Sequence, residues 1–198
     1  MAVDFYKPLA FSLALALIAS VWVLKYGAAR RGRSYAEQRL AIGRDDSFRV
    51  LGKVIFVAMN ALTVFSFWRG PGLPLLSLPS DLLRIAGLIV LGAATLLYMT
   101  SMSCLGDNYS PFFDAHLPHR IVMQGPYRYI RHPIYLANVL QGVGYTLASG
   151  SLWVLLLAAY GSFNILRALR REECYLSRTF SGYEGYRGKT ARLIPFIY

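Results

Sequence analysis

Long apolar runs alternate with short polar segments along this chain. Five runs stand out: Pro8–Leu24, Val50–Trp68, Leu82–Met102, Pro133–Ser149 and Ser151–Leu166. As a helix, each crosses or nearly crosses a hydrocarbon core of roughly 30 Å. The pattern predicts an all-α polytopic membrane protein with about five transmembrane helices. Only Ser149-Gly150-Ser151 separates the last two runs, so they form a tight helical hairpin. Gly70-Pro-Gly-Leu-Pro is a turn cluster between the second and third. Gly106–Arg131 is a long loop, and loops of that length are usually functional or disordered. Beyond Leu169 the pattern predicts a helical extension, then an amphipathic piece. Tyr175, Phe180, Tyr183 and Tyr186 lie there among basic residues, as in an interfacial helix.

Composition agrees with a membrane protein. Apolar residues make up 56% of the 198 and charged residues 16%, against about 25% charged in a typical soluble domain. The length suits one domain, with N-terminal helices over 1–81 and a core over 82–198. With five spans, 18 of the 21 basic residues fall on one side, in Lys25–Lys53, Arg120–Arg131 and Arg167–Arg192. Positive residues stay in the cytoplasm, so the N-terminus is expected outside and the C-terminal region cytoplasmic. Lys25, Arg30, Arg31 and Arg33 follow the first run rather than precede it, which marks a signal anchor. Orientation and anionic lipid headgroups account for the net charge of +11 without nucleic acid. Cys104 and Cys174 fit no metal-ligand or redox spacing and are expected as free thiols in a reducing compartment.

The polar residues at the membrane border carry the candidate chemistry. Gly125-Pro-Tyr-Arg-Tyr-Ile-Arg-His-Pro-Ile-Tyr135 leads into the fourth run, and Glu172-Glu173 follows the fifth. Ionisable groups at such a border are costly unless paired or used. Pro133 suits the first helical turn, with His132 at the cap. Arg128, Arg131 and the helix N-terminal amides make an anion-binding corner. Glu172 and Glu173 supply the opposite charge, so the pair of poles suits a zwitterion such as an amino acid. Asn138, Gln141 and Tyr145 share one helix face, and Asn164, Arg167, Arg171 and Cys174 share another. Two such stripes on a hairpin are expected to face each other or a shared cavity, with Glu172 and Glu173 pairing Arg167 and Arg171. The bland alternative for Asn138 and Gln141 is interhelical hydrogen bonding alone.

These residues resemble the isoprenylcysteine carboxyl methyltransferase family, which is grouped with the phospholipid methyltransferases. The likeness rests on Leu105–Ser110, Gly125–Tyr135, Glu172–Leu176, Phe180–Tyr186 and Arg192–Phe196, and covers roughly residues 82–198. It implies an integral membrane enzyme that uses S-adenosylmethionine without a Rossmann fold, and the chain has no G-x-G-x-x-G after a strand-like run. Carried over, it implies cofactor contacts from His132, Tyr135, Glu172 and Glu173. Gly125, Tyr127, Arg128 and Arg131 would wall the same site. No metal is implied. The implied partner is a lipophilic or prenylated methyl acceptor. From the polar stripes themselves, Asn138, Gln141 and Asn164 are expected to line its path, and Arg167 or Arg171 to hold its carboxylate. The end of the chain also resembles NADPH-dependent sterol reductases, and a non-enzymatic membrane scaffold is the third alternative.

Overall fold

The computed structural model describes residues 19, 23, 46–69, 81–108 and 120–194. The expected first span apart from residues 19 and 23, the Gly70–Pro74 turn cluster, His116, His119 and the last four residues lie outside the described residues. Among the described residues five α-helices follow in order: α1 (Asp46–Arg69), α2 (Asp81–Leu105), α3 (Pro133–Ser149), α4 (Leu152–Thr179) and the short α5 (Tyr183–Arg187). Two 3-10 turns, Gly106–Asn108 and Gly125–Arg128, flank the α2–α3 connection. No strand is present among the described residues; Ile130 and Ala191 form an isolated parallel bridge.

By length and composition, Leu82–Leu105 and Leu152–Thr179 are apolar enough to cross a membrane, and Val50–Ser66 is a shorter apolar helix. α3 has the same length as that stretch, 17 residues. It begins at Pro133, whose missing N–H costs nothing in a first turn. It ends at Gly150, where φ is +64° and the amide donates to Thr146 O at 2.9 Å. That left-handed stop reverses the chain directly into α4.

α3 is the helix that α1, α2 and α4 all share, and it packs most extensively on α2. Glycine permits that closeness. A Cβ on Gly144 would stand 2.9 Å from Leu91 N and 3.0 Å from Gly87 O. A Cβ on Gly87 would strike the backbone of Leu147 and Ala148. Small residues at such crossings substitute van der Waals contact for a hydrophobic driving force that lipid cannot supply. Around the crossing, Ile55, Met59, Leu91, Tyr145, Val154 and Ala158 form one buried cluster, and Tyr98, Met102 and Ala137 another.

Several hydroxyls within these helices are satisfied locally. Thr63, Thr95, Ser101 and Thr146 each donate to the carbonyl four residues back at 2.6–2.8 Å. Tyr145 bonds across helices instead, donating to Asn60 Oδ1 of α1 at 3.0 Å.

The tail differs from the amphipathic interfacial helix expected. α4 runs unbroken from Leu152 through the charged stretch to Thr179, although its apolar part ends at Leu166. α5 then turns Tyr183 and Tyr186 inward, both buried. Tyr186 Oη donates to Tyr127 O at 2.7 Å. Tyr186 thereby fastens the tail to the loop before α3.

Candidate active site

The segment Tyr129–His132 and the segment Thr190–Arg192 run side by side. Arg131 N donates to Ala191 O at 2.8 Å, Ala191 N to Tyr129 O at 3.0 Å, and His132 N to Arg192 O at 3.2 Å. This short pairing places three cationic or protonatable groups over one turn of α4. Glu173 stands at their centre with a side chain 8% exposed. Its Oε1 accepts from Arg131 Nε at 2.8 Å and lies 3.3 Å from His132 Nε2. Its Oε2 meets Arg192 Nη2 at 2.6 Å. Arg131 also donates to the carbonyls of Arg187 and Thr190, which ties the tail into the same cluster.

Burial alone would raise the Glu173 pKa. The His132, Arg131 and Arg192 hydrogen bonds more than offset it and hold the carboxyl down at about 2. Glu173 is therefore a charged keystone. Tyr186, buried on α5, is pushed up to about 12 by the loss of water.

Glu172 differs from its neighbour. Its side chain is 40% exposed. Oε2 accepts from Tyr135 Oη at 2.5 Å and lies 4.0 Å from His132 Nδ1. Oε1 has no partner among the described residues. The His132 and Tyr135 rings stack at 5.4 Å with planes 8° apart. His132 thus bridges both glutamates, one through each ring nitrogen, although it caps α3 by position without a side-chain cap bond.

The structure brings together Arg131, His132, Tyr135, Glu172 and Glu173. The other wall residues make their contacts elsewhere, with Cys104, Tyr186 and Tyr129. Gly125 has φ +57°, and a Cβ there would stand 2.5 Å from Cys104 Sγ. Tyr127 is buried and fixes Tyr186, while exposed Arg128 lies 5.8 Å over the Tyr129 ring.

Two expectations need correction. Arg167 and Arg171 do not pair with the glutamates; Arg131 and Arg192 take that place. The α4 stripe does not face α3 either. Arg167, Arg171 and Cys174 are exposed, and Asn164 is only part-buried, bonded to Tyr160 O at 2.8 Å. Helical phase explains both. Val154, Ala158, Ile165, Leu169 and Glu173 form the buried face, and the arginine stripe lies roughly opposite. α3 and α4 instead approach where a Cβ on Gly142 would lie 3.1 Å from Ala158 Cβ.

The α3 stripe does face inward. Asn138 donates to Ile134 O at 2.9 Å, and Tyr145 meets Asn60. Gln141 is 2% exposed, and its Nε2 has no hydrogen-bond partner among the described residues. Arg192 is the site residue that the sequence did not single out. Its signal was its place in the matched Arg-Leu-Ile-Pro-Phe motif, but its contact with Glu173 required the fold.

The phospholipid methyltransferase family pattern matches residues 82–182, just over half of the chain, from the start of α2 to the turn before α5. The chain belongs to the phospholipid methyltransferase family. Membership makes it a membrane methyltransferase. No curated protein matches it. The family segment contains His132, Tyr135, Glu172 and Glu173 but stops short of Arg192, so one ligand of the keystone carboxylate comes from outside it.

Proposed function

We propose that this protein transfers a methyl group from S-adenosylmethionine to a lipophilic carboxylate, most like isoprenylcysteine carboxyl O-methylation, at the cytoplasmic membrane face. Residues 82–198 are the catalytic core in this reading, with five spans, the N-terminus outside and the C-terminus cytoplasmic. The observation that carries it is the His132–Tyr135–Glu172 group, in which His132 is buried, Tyr135 and Glu172 are partly exposed, and Glu173 braces it from behind.

The donor set fits the cofactor. The unpartnered oxygen of Glu172 suits an ammonium. Tyr135, partly exposed and stacked on the buried His132, offers its ring to a purine or to a sulfonium through cation–π attraction. Arg131 is already bound to Glu173, so the cofactor's carboxylate would meet the first-turn amides of α3 and Arg128. The chemistry supplied by such a cofactor is an electrophilic methyl group on a sulfonium. The protein's part is to align the acceptor behind that carbon and exclude water.

Proton inventory favours a carboxylate acceptor, which is ionised at neutral pH and needs no base. An amine must first lose a proton. Both ring nitrogens of His132 face glutamate oxygens, Glu173 is held by two arginines, and Glu172 accepts from Tyr135. None of these groups stands free as a general base. Asn138 and Gln141 lie further along α3 from Tyr135 and are suited to line the acceptor's route from the bilayer.

The test is transfer of label. Purified protein in lipid is incubated with methyl-labelled S-adenosylmethionine and membrane extract, and products are treated with base. A lipid-soluble product that releases labelled methanol is expected. Base-stable label would move the acceptor to an amine or thiol, and absence of label would contradict the function.

A further inference from the structure

We propose that Arg167, Arg170 and Arg171 form a binding site for the phosphate of an anionic phospholipid, where α4 leaves the hydrocarbon. On the face of α4 turned away from Glu173, this site takes the place of the acceptor-orienting role expected of Arg167 or Arg171, and it does not depend on the cofactor reading.

The outer face of α4 changes character within one turn. Trp153, Leu156, Tyr160 and Phe163 are 47–56% exposed and share one helical stripe. In a membrane protein such a face meets acyl chains. The next positions on that stripe are Arg167 and Arg171, with Arg170 adjoining. All three are exposed. The Arg167 guanidinium lies 5.8 Å over the Phe163 ring, so it points back toward the apolar border.

The acids of this stretch do not neutralise them. Glu172 and Glu173 turn to the opposite side, toward Tyr135, His132, Arg131 and Arg192. Arg167, Arg170 and Arg171 have no acidic partner among the described residues. Folding thus sorts a mixed sequence, Arg-Ala-Leu-Arg-Arg-Glu-Glu, into an inward acidic face and an outward cationic one. A cationic cluster joined end-on to an apolar stripe is complementary to a lipid: tail along Tyr160 and Phe163, phosphate among the guanidinium forks. Arg178 supplies a control. It shares the stripe but lies about 16 Å beyond Arg167 along the axis, past a headgroup layer of roughly 5–8 Å.

The test reads lipid binding, so its failure would leave the methyl-transfer reading standing. Protein in neutral detergent is titrated with phosphatidylglycerol while its melting temperature is followed. Parallel arms use phosphatidylcholine and tail-free glycerol phosphate. A saturable rise is expected with phosphatidylglycerol, a weaker one with phosphatidylcholine and none with glycerol phosphate. R167Q/R170Q/R171Q is expected to shift the midpoint on the order of 100-fold, about fivefold per arginine. R178Q is expected to stay within about twofold of wild type. If the triple variant does not fold, R171Q alone carries the test, with a shift of about fivefold. An unchanged midpoint in the arginine variants would overturn the proposal. So would an equal loss in R178Q, which means diffuse charge, or an equal response to glycerol phosphate, which means a simple anion site.

Discussion

Arg131 and Glu173 lie 42 residues apart in sequence and meet at 2.8 Å, each with a side chain only 8% exposed. The pair joins the start of α3 to the solvent end of α4, and Arg131 extends the join to the carbonyls of Arg187 and Thr190. A buried pair of this kind contributes little over a well-packed apolar substitute, but losing one partner strands the other. Glu173→Ala is therefore expected to cost about 3–5 kcal/mol, because Arg131 and Arg192 both lose their counter-charge. Thermal unfolding in detergent checks this. A loss below about 1 kcal/mol would place the pair among exposed bridges and contradict its keystone role.

The same carboxylate predicts a pH dependence. Its folded pKa of about 2 lies below the ordinary 4.5. The stability it contributes is fully present above pH 4.5 and is lost as pH falls through 2. The melting temperature is expected to fall across that window. Glu173→Gln, with no titrating carboxyl, is expected to lack this component. Parallel acid profiles for the two proteins would show that other groups set the acid limit.

Gly144 and Gly92 separate close approach from simple helix propensity. A Cβ at 144 would meet the Leu91 backbone at 2.9–3.0 Å, whereas one at 92 meets nothing within 4 Å. Gly144→Ala is expected to destabilise by about 1–3 kcal/mol through overpacking. Gly92→Ala is expected to be neutral or to stabilise by up to about 1 kcal/mol, since alanine loses less backbone freedom. Melting temperatures of the two variants measured together decide the matter, and equal effects would mean the α2–α3 crossing is looser than described.

Gln141 distinguishes a packing role from a functional one. Its amide nitrogen is buried without a partner among the described residues. Gln141→Leu removes an unsatisfied donor, so stability is expected to hold or rise. If the amide meets the acceptor, the same variant raises the apparent KM for acceptor while S-adenosylhomocysteine affinity stays unchanged. Unaltered kinetics with altered stability would assign Gln141 to the helix packing alone.

Much of this was legible in the sequence because bilayer helices and border charges leave strong marks. Pro133–Ser149 was bounded by a proline and a glycine and appears with those limits. The His132, Tyr135 and glutamate pair also assemble as one cluster. What the sequence could not resolve was which way α4 turns. Glu172, Glu173, Arg170 and Arg171 are adjacent, and adjacency makes pairing look natural. Consecutive helical residues point about 100° apart, so neighbours in sequence face different partners. The true counter-ions came from loops 42 residues before and 19 residues after Glu173, at Arg131 and Arg192. The inward tyrosines of α5 were missed for a related reason: their burial depends on the Tyr129–His132 and Thr190–Arg192 pairing, which no periodicity announces.

The central claim is that S-adenosylmethionine is held at His132, Tyr135 and Glu172. Calorimetric titration with S-adenosylhomocysteine tests it most directly, on wild type and Glu172→Gln, with NADPH as a parallel ligand. Glu172 is half exposed and not part of the Arg131–Glu173 brace, so the variant is expected to melt like wild type. Loss of one charge-assisted contact is expected to weaken S-adenosylhomocysteine about 10- to 150-fold, or roughly 1.5–3 kcal/mol, with no heat from NADPH. Wild-type affinity in the folded variant, or binding of NADPH in place of S-adenosylhomocysteine, would contradict the account.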